Sequence, residues 1–281
     1  MSFEIRIAPN SGFCFGVRRA IEIAERELAA GGSVYSLGPL IHNPQVIERL
    51  RADGLEPVDD ISRIAGGKVL IRSHGIHPEL LAALKAKGVE IVDATCPLVK
   101  KAQQSAALLD GEGYTVIIVG EGNHPEVQGL LGHAPKALVV DPRRDLPAIP
   151  KRARVGLVAQ TTQYPEDYRA VIEKVVESDF EEVRVFNTIC NATVVRQEAA
   201  VALAGRVDIM LVLGGRNSAN SNRLAEICRA TGVETHHIET GDELNEAWLQ
   251  GKRTVGITAG ASTPGWLIEE LISRLKRISG G

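Results

Sequence analysis

Residues 90–124 read EIVDATCPLVKKAQQSAALLDGEGYTVIIVGEGNH. A short β-branched segment runs up to Thr95, and Cys96 follows it. Pro97 then opens a longer run of helix formers with apolar residues spaced near 3.6. Proline suits a first helical position, where its missing N–H would have no partner anyway. A second strand-sized run, YTVIIVG, ends in the polar loop that carries His124. Strand, cysteine, helix, strand and loop in this order predict parallel strands covered by helices.

The same order occurs twice more. FEIRIAPNSGF precedes Cys14 and VRRAIEIAERELAA follows it, while VRVFNTI precedes Cys190 and TVVRQEAAVALAGR follows it. The three cysteines stand 82 and 94 residues apart, close to one third of 281, which points to an internal repeat. The residue 28 positions after each cysteine falls in an equivalent loop: His42, His124 and Ser218. Each third continues with a short strand, in LEPVDD, ALVVDP and THHIET. A main strand and a polar loop follow, in KVLIRSHGIHPE, RVGLVAQTTQYPE and TVGITAGASTPG. Pro44, Pro78, Pro97, Pro125, Pro165 and Pro264 sit near helix starts.

The expected fold is therefore α/β: three similar small domains with mainly parallel sheets, in a pseudo-threefold, trefoil-like arrangement around a central cluster. The expected boundaries are 15–95, 96–189, and 190–281 joined by 1–14. Each third is small for an independent core, so the three should depend on one another. In such sheets ligands bind beyond the carboxyl ends of the strands, where loops meet helix N-termini.

Composition narrows the function classes. With 44% hydrophobic and 24% charged residues the chain is neither disordered, collagenous nor a disulfide scaffold. A net charge of −3 gives no basic footprint for nucleic acid. Nor does it steer anions globally, so an anion site has to be built locally. No apolar run approaches a membrane span, and MSFEIRIAPNSGFCFG lacks the apolar core of a signal peptide. The expectation is a cytoplasmic, reducing compartment, with cysteines serving as ligands, nucleophiles or core fillers.

A thiolate is favoured near a helix N-terminus and is ready there to bind metal. Cys14, Cys96 and Cys190 read as one metal site by repeat equivalence, whereas Cys228, inside RLAEICRATG at no equivalent place, reads as a core residue. A Cys₃His zinc site remains open. An iron–sulfur cube on three thiolates, with one iron left open, is favoured because the neighbouring loops are crowded with hydrogen-bond donors. These are His42, His74, His124, Thr161, Thr162, Ser218, Asn220 and Ser262. Most are neutral, and Arg72 and Arg216 only flank them. The set suits a phosphate or diphosphate held by imidazoles, hydroxyls, amides and helix dipoles. Helix capping would also account for single Ser, Thr or Asn residues.

Glu126, in Asn123-His124-Pro125-Glu126, complements a first helical turn or acts as a general acid. Glu79, in His77-Pro78-Glu79, has the same local spelling without the place in the repeat. His77, His133, His236 and His237 follow no repeat logic and are expected to be structural or exposed. No G-x-G-x-x-G follows the first strand.

At these residues the chain resembles the 4-hydroxy-3-methylbut-2-enyl diphosphate reductases, the LytB/IspH family. The resemblance runs from Gly12-Phe13-Cys14-Phe15-Gly16-Val17 to Thr258-Ala259-Gly260-Ala261-Ser262. Its most specific pieces are Asp93-Ala94-Thr95-Cys96-Pro97, Gly122-Asn123-His124-Pro125-Glu126, Gln160-Thr161-Thr162 and Asn217-Ser218-Ala219-Asn220-Ser221-Asn222-Arg223.

The family implies one [4Fe–4S] cluster per chain on Cys14, Cys96 and Cys190. It implies reductive removal of the hydroxyl from 4-hydroxy-3-methylbut-2-enyl diphosphate, giving isopentenyl and dimethylallyl diphosphates for isoprenoid biosynthesis by the methylerythritol phosphate route. His42, His74, Ser218, Asn220 and Ser262 would hold the diphosphate, with His124 nearby. Glu126 would deliver protons and Thr161 would order the substrate hydroxyl and its water, Thr162 being adjacent. Some members carry a second serine where this chain has Ala219, whose backbone N–H would serve instead. Electrons would come from another protein, of ferredoxin or flavodoxin type, with no nucleic-acid or membrane partner. Two other functions fit the residues: a non-redox Fe–S hydro-lyase, and a diphosphate-binding protein whose three-Cys metal site is structural or a sensor.

Overall fold

Strand pairing in the computed structural model, which describes residues 2–280 apart from 143 and 145, is parallel throughout. In chain order the elements are β1 (Glu4–Ile7), α1 (Phe15–Ala29), β2 (Val34–Leu37), α2 (Pro44–Ala52), β3 (Leu55–Val58), β4 (Lys68–Ile71), α3 (Pro78–Ala86) and β5 (Glu90–Asp93). They continue with α4 (Pro97–Gly111), β6 (Thr115–Val119), α5 (Pro125–His133), β7 (Leu138–Val140), β8 (Arg154–Ala159), α6 (Pro165–Val176) and β9 (Glu182–Val185). The last are α7 (Asn191–Ala204), β10 (Ile209–Leu213), α8 (Ala219–Ala230), β11 (Glu234–Ile238), β12 (Thr254–Ala259) and α9 (Gly265–Ser279).

The strands form three four-stranded sheets of one topology: β3-β2-β4-β5, β7-β6-β8-β9 and β11-β10-β12-β1. The three α/β repeats expected from the cysteine spacing are thus present as three equivalent parallel sheets. Pro44, Pro78, Pro97, Pro125 and Pro165 are first helical residues, and Pro264 stands one position earlier, as the cap of α9.

The chain divides into two compact units. The first contains Met1–Arg18, Ile41–Glu48 and Asn191–Gly281, and holds the sheet of β1, β10, β11 and β12. Its central strand β10, IMLVL, is buried along its whole length. Ile209, Leu211 and Leu213 face a core shared with Leu267, Leu271 and Leu275 of α9. Met210 and Val212 face the opposite core, with Ala200 of α7 and Leu224 and Cys228 of α8. Two-sided burial explains why a central parallel strand reads as an unbroken apolar run. Cys228 is fully buried, and burial pushes its thiol up to about 12, as suits a core residue.

The second unit, Arg19–Leu40 and Arg49–Cys190, holds the other two sheets. Val116, Ile118 and Val158 pack on Ala102, Ala106 and Leu109 of α4 and Val127 and Leu130 of α5. Ile117, Val155 and Leu157 pack on Tyr168, Val171 and Val175 of α6. In the β2–β5 sheet, Val58, Val69 and Leu84 form the core with Ile64.

The edge strands β1, β5 and β9 share one burial pattern, with exposed ends and partly buried middle residues. Each begins with an exposed glutamate, Glu4, Glu90 or Glu182, a charge that discourages edge-to-edge pairing with another chain.

Gly132 tests the packing of α5 on α3. A Cβ there would overlap Pro78 Cδ and stand 2.7 Å from His77 Cδ2, both on rigid rings. Helix propensity alone favours Gly132→Ala by about 1 kcal/mol. Overpacking against a ring costs ~1–3 kcal/mol. The expected net result is destabilisation, read as a lower urea midpoint; a higher midpoint would show that the two helices separate without cost.

Candidate active site

The predicted residues follow strand carboxyl ends with one regularity. Cys14, His42, His74, Cys96, His124, Thr161, Cys190, Ser218 and Ser262 come after β1, β2, β4, β5, β6, β8, β9, β10 and β12. The edge strands β3, β7 and β11 lead to none of them. In an all-parallel sheet the carboxyl ends share one edge, so each sheet presents three such loops together. Between the units the set divides: Cys14, His42, Ser218, Ala219, Asn220 and Ser262 belong to the first, and His74, Cys96, His124, Glu126, Thr161 and Cys190 to the second.

In the second unit, Cys96 caps α4 and Cys190 immediately precedes α7. The Cys96 N–H donates to the Ser73 carbonyl at 3.0 Å, and the Cys190 N–H to the Thr161 carbonyl at 2.9 Å. Both side chains are half-buried thiols. His124 caps α5, its Nδ1 accepting from the Glu126 N–H at 3.1 Å. That bond places the proton of the neutral ring on Nε2. His74 meets the His124 ring edge-on, with centroids 5.5 Å apart.

Glu126 is 2% exposed. Its Oε1 accepts from the Thr161 N–H at 2.6 Å and its Oε2 from the Thr161 hydroxyl at 2.9 Å. Burial raises its pKa to about 7, against the lowering effect of the two Thr161 bonds. The carboxyl is therefore poised between acid and base near neutrality. Thr162 is engaged elsewhere: its Oγ1 accepts from Gln160 Nε2 at 2.9 Å. His77-Pro78-Glu79 builds the same cap, with His77 Nδ1 accepting from the Glu79 N–H at 3.3 Å, but the Glu79 side chain is 91% exposed. Identical spelling thus gives one solvated and one buried carboxyl.

In the first unit, the Cys14 N–H donates to the Ala261 carbonyl at 3.0 Å. The Val17 N–H, in the first turn of α1, points at Cys14 Sγ from 3.5 Å. Ser262 donates its hydroxyl to the His42 carbonyl at 2.9 Å. A Cβ on Gly215 would lie 2.8 Å from that carbonyl, so only glycine lets the loop after β10 come this close. Ser218 caps α8, its Oγ accepting from the Ser221 N–H at 3.3 Å, and Ala219 is the first helical residue. Asn220 is 4% exposed, and neither atom of its side-chain amide has a protein partner.

Three further residues support the site: Arg196 and Arg19, which the sequence reading does not single out, and Gln160, which it quotes without a role. Arg196, buried in α7, donates Nε to the Asn10 carbonyl at 2.9 Å and Nη2 to the Gly12 carbonyl at 2.8 Å, fixing the loop that leads to Cys14. Arg19 donates to the Thr95 carbonyl beside Cys96 at 3.3 Å. Gln160 accepts from the Glu121 N–H at 3.0 Å, tying the His124 loop to the Thr161 loop. For Arg196 the available signal is an arginine in the mainly apolar helical run TVVRQEAAVALA, which also carries Gln197 and Glu198. The remaining histidines are structural: His133 Nδ1 lies 2.8 Å from the Gly129 carbonyl, His236 stacks on Trp248, and His237 Nε2 lies 2.8 Å from the Gly214 carbonyl.

Among the described residues no helix is long and apolar enough to cross a membrane. A family model described as LytB protein matches residues 5–276. Curated relatives include a 4-hydroxy-3-methylbut-2-enyl diphosphate reductase from Citrifermentans bemidjiense, 47% identical over 98% of each chain. Another of the same name, from Aquifex aeolicus, is 47% identical over 99% of this chain and 98% of its own. A solved structure of (E)-4-hydroxy-3-methyl-but-2-enyl diphosphate reductase, described as the terminal enzyme of the non-mevalonate pathway, is 44% identical with a TM-score of 0.70, covering 98% of this chain and 99% of that one. The structure of the E-1-hydroxy-2-methyl-but-2-enyl-4-diphosphate reductase from Plasmodium falciparum is 26% identical with a TM-score of 0.92, covering 98% and 89%.

Glu126 makes stability depend on pH with a definite sign. Its folded pKa of about 7 lies above the ordinary 4.5, so the folded chain holds the proton more tightly. Its contribution is complete below the ordinary value and is lost as the pH rises through about 7. A shift of this size corresponds to about 3 kcal/mol. Urea unfolding from pH 4.5 to 8 should show the wild type losing stability relative to Glu126→Gln by up to that amount. A gain across this range would mean that Thr161 holds the group ionised.

Proposed function

The chain belongs to the LytB protein family, and from that premise we propose that it is a 4-hydroxy-3-methylbut-2-enyl diphosphate reductase acting through a [4Fe–4S] cluster on Cys14, Cys96 and Cys190. The balanced reaction takes up two electrons and two protons, breaks the allylic C–O bond and releases water, giving isopentenyl and dimethylallyl diphosphates. The observation that carries the reading is Glu126, a buried carboxyl titrating near neutrality against Thr161.

The cysteines suit the cluster chemically. All three are thiols outside disulfides, partly exposed, each next to a helix N-terminus and held by its backbone N–H. When bound, the cluster supplies an iron without a protein ligand and passes the electrons into the substrate.

The chain's own residues do the rest. Glu126 delivers protons while Thr161, fixed on both carboxylate oxygens, orders the substrate hydroxyl and the departing water. His124 stands beside Glu126 and donates from Nε2. The diphosphate is assigned to His42, His74, Ser218, Asn220 and Ser262, with the backbone N–H of Ala219 at the start of α8. The Asn220 amide, unpartnered in the protein, would bond phosphate oxygen, and the positive end of α8 would favour the charge. Electrons come from a separate donor protein of ferredoxin or flavodoxin type.

Anaerobic purification should give a brown protein with about four iron and four sulfide per chain. Turnover of the hydroxylated diphosphate should require a reduced donor. Glu126→Gln should keep the visible spectrum and lose at least ~100-fold in turnover, the usual worth of a general acid. A colourless, zinc-loaded protein would remove the cluster from the proposal, and dehydration without reductant would point to a hydro-lyase.

A further inference from the structure

Arg72 is the last residue of the main-strand segment KVLIR, immediately after β4, and the assigned reaction leaves it without a role. Its side chain is half-buried, and burial depresses its pKa with no carboxylate acting in the opposite direction. Among the described residues its guanidinium has no ion pair and no hydrogen bond. A guanidinium stays charged at any physiological pH, so it cannot escape this situation by losing its proton. An uncompensated, partly desolvated charge is costly and calls for a counter-ion.

The guanidinium lines a groove of about 290 Å³ in the second unit, between the start of α3 and α5. Arg72, His77 and Gln128 are polar residues of its lining. Nη1 of Arg72 lies against Gly38, where a Cβ would stand 3.0 Å away, so the head group is backed by main chain. The rest of the wall is apolar, including Ile71, Ile76 and Leu80. Leu80, a large apolar side chain in that lining, is 45% exposed. Glu79 also lines the groove, but its side chain is almost wholly in solvent, with a carboxylate oxygen 3.9 Å from His77 Nδ1. None of the residues assigned to the reductase site lines this groove.

We infer that the groove is a second anion site, which binds a phosphate monoester carrying a short aliphatic chain. The planar fork of Arg72 matches two phosphate oxygens. The chain of the ester lies along Ile71, Ile76 and Leu80. A groove at the small end of the range for ligand pockets admits a compact ligand of this kind rather than a large cofactor. Each methylene buried against that wall is worth about a fourfold gain in affinity.

Butyl phosphate and inorganic phosphate are the probes, titrated calorimetrically into the cluster-loaded protein at low salt. Butyl phosphate lacks the allylic hydroxyl and binding is read without turnover, so the result stands apart from the reductase assignment. Arg72→Gln should lose one equivalent of bound butyl phosphate per chain, or bind it at least tenfold more weakly, and Arg72→Lys should fall between. The wild type should bind butyl phosphate at least tenfold more tightly than inorganic phosphate at this site. Leu80→Ser should weaken the ester and leave inorganic phosphate unchanged. Without ligand, Arg72→Gln should melt no lower than the wild type, because an unpaired charge is removed. Equal binding of butyl phosphate by wild type and Arg72→Gln would overturn the inference. So would equal binding of the two probes, or a lowered melting point that Arg72→Lys restores, which would make Arg72 structural.

Discussion

One backbone hydrogen bond occurs three times and holds the cysteines. Cys14 donates to Ala261, Cys96 to Ser73 and Cys190 to Thr161. Each acceptor lies two residues past the end of the neighbouring strand: β12 ends at Ala259, β4 at Ile71 and β8 at Ala159. The strands before the cysteines end at Ile7, Asp93 and Val185, so the connecting loops differ in length. The anchoring point is nevertheless the same in all three. The parallel ladder in effect continues one step beyond each sheet, and that step fixes where a thiol leaves the backbone.

From this follows the division of labour within each sheet. The central strands are buried on both faces and supply the core. The edge strands β1, β5 and β9 contribute little to it and carry charge, yet their positions are set by pairing to β12, β4 and β8. Arg196 and Arg19 then hold the loop carbonyls before Cys14 and Cys96, using hydrogen bonds where the ladder has ended. Charge-assisted bonds of this kind are stronger than neutral ones, and suit loops with no core of their own.

The site also retains groups that work against stability. Asn220 buries an amide without a protein partner, and Glu126 is buried where its charged form is disfavoured. A fold selected only for stability would replace both with apolar residues. Their presence at the carboxyl ends of parallel strands is the expected signature of a ligand site, where local rules are broken for function.

Much of this was legible in the chain itself. The spacing of Cys14, Cys96 and Cys190, the common offset of 28 to His42, His124 and Ser218, and the prolines at helix starts determine three parallel α/β repeats. Covalent spacing and periodicity are local properties, so a linear reading reaches them. The two His-Pro-Glu segments mark where it stops. Both form the same histidine cap, because a cap depends on a few neighbouring residues. Only the tertiary structure leaves Glu79 in water and seals Glu126 against Thr161, 35 residues away. It likewise engages Thr162 with Gln160 and leaves Thr161 to Glu126. Burial and the distant partner set the carboxyl's proton affinity, and both arise only when separate segments pack together.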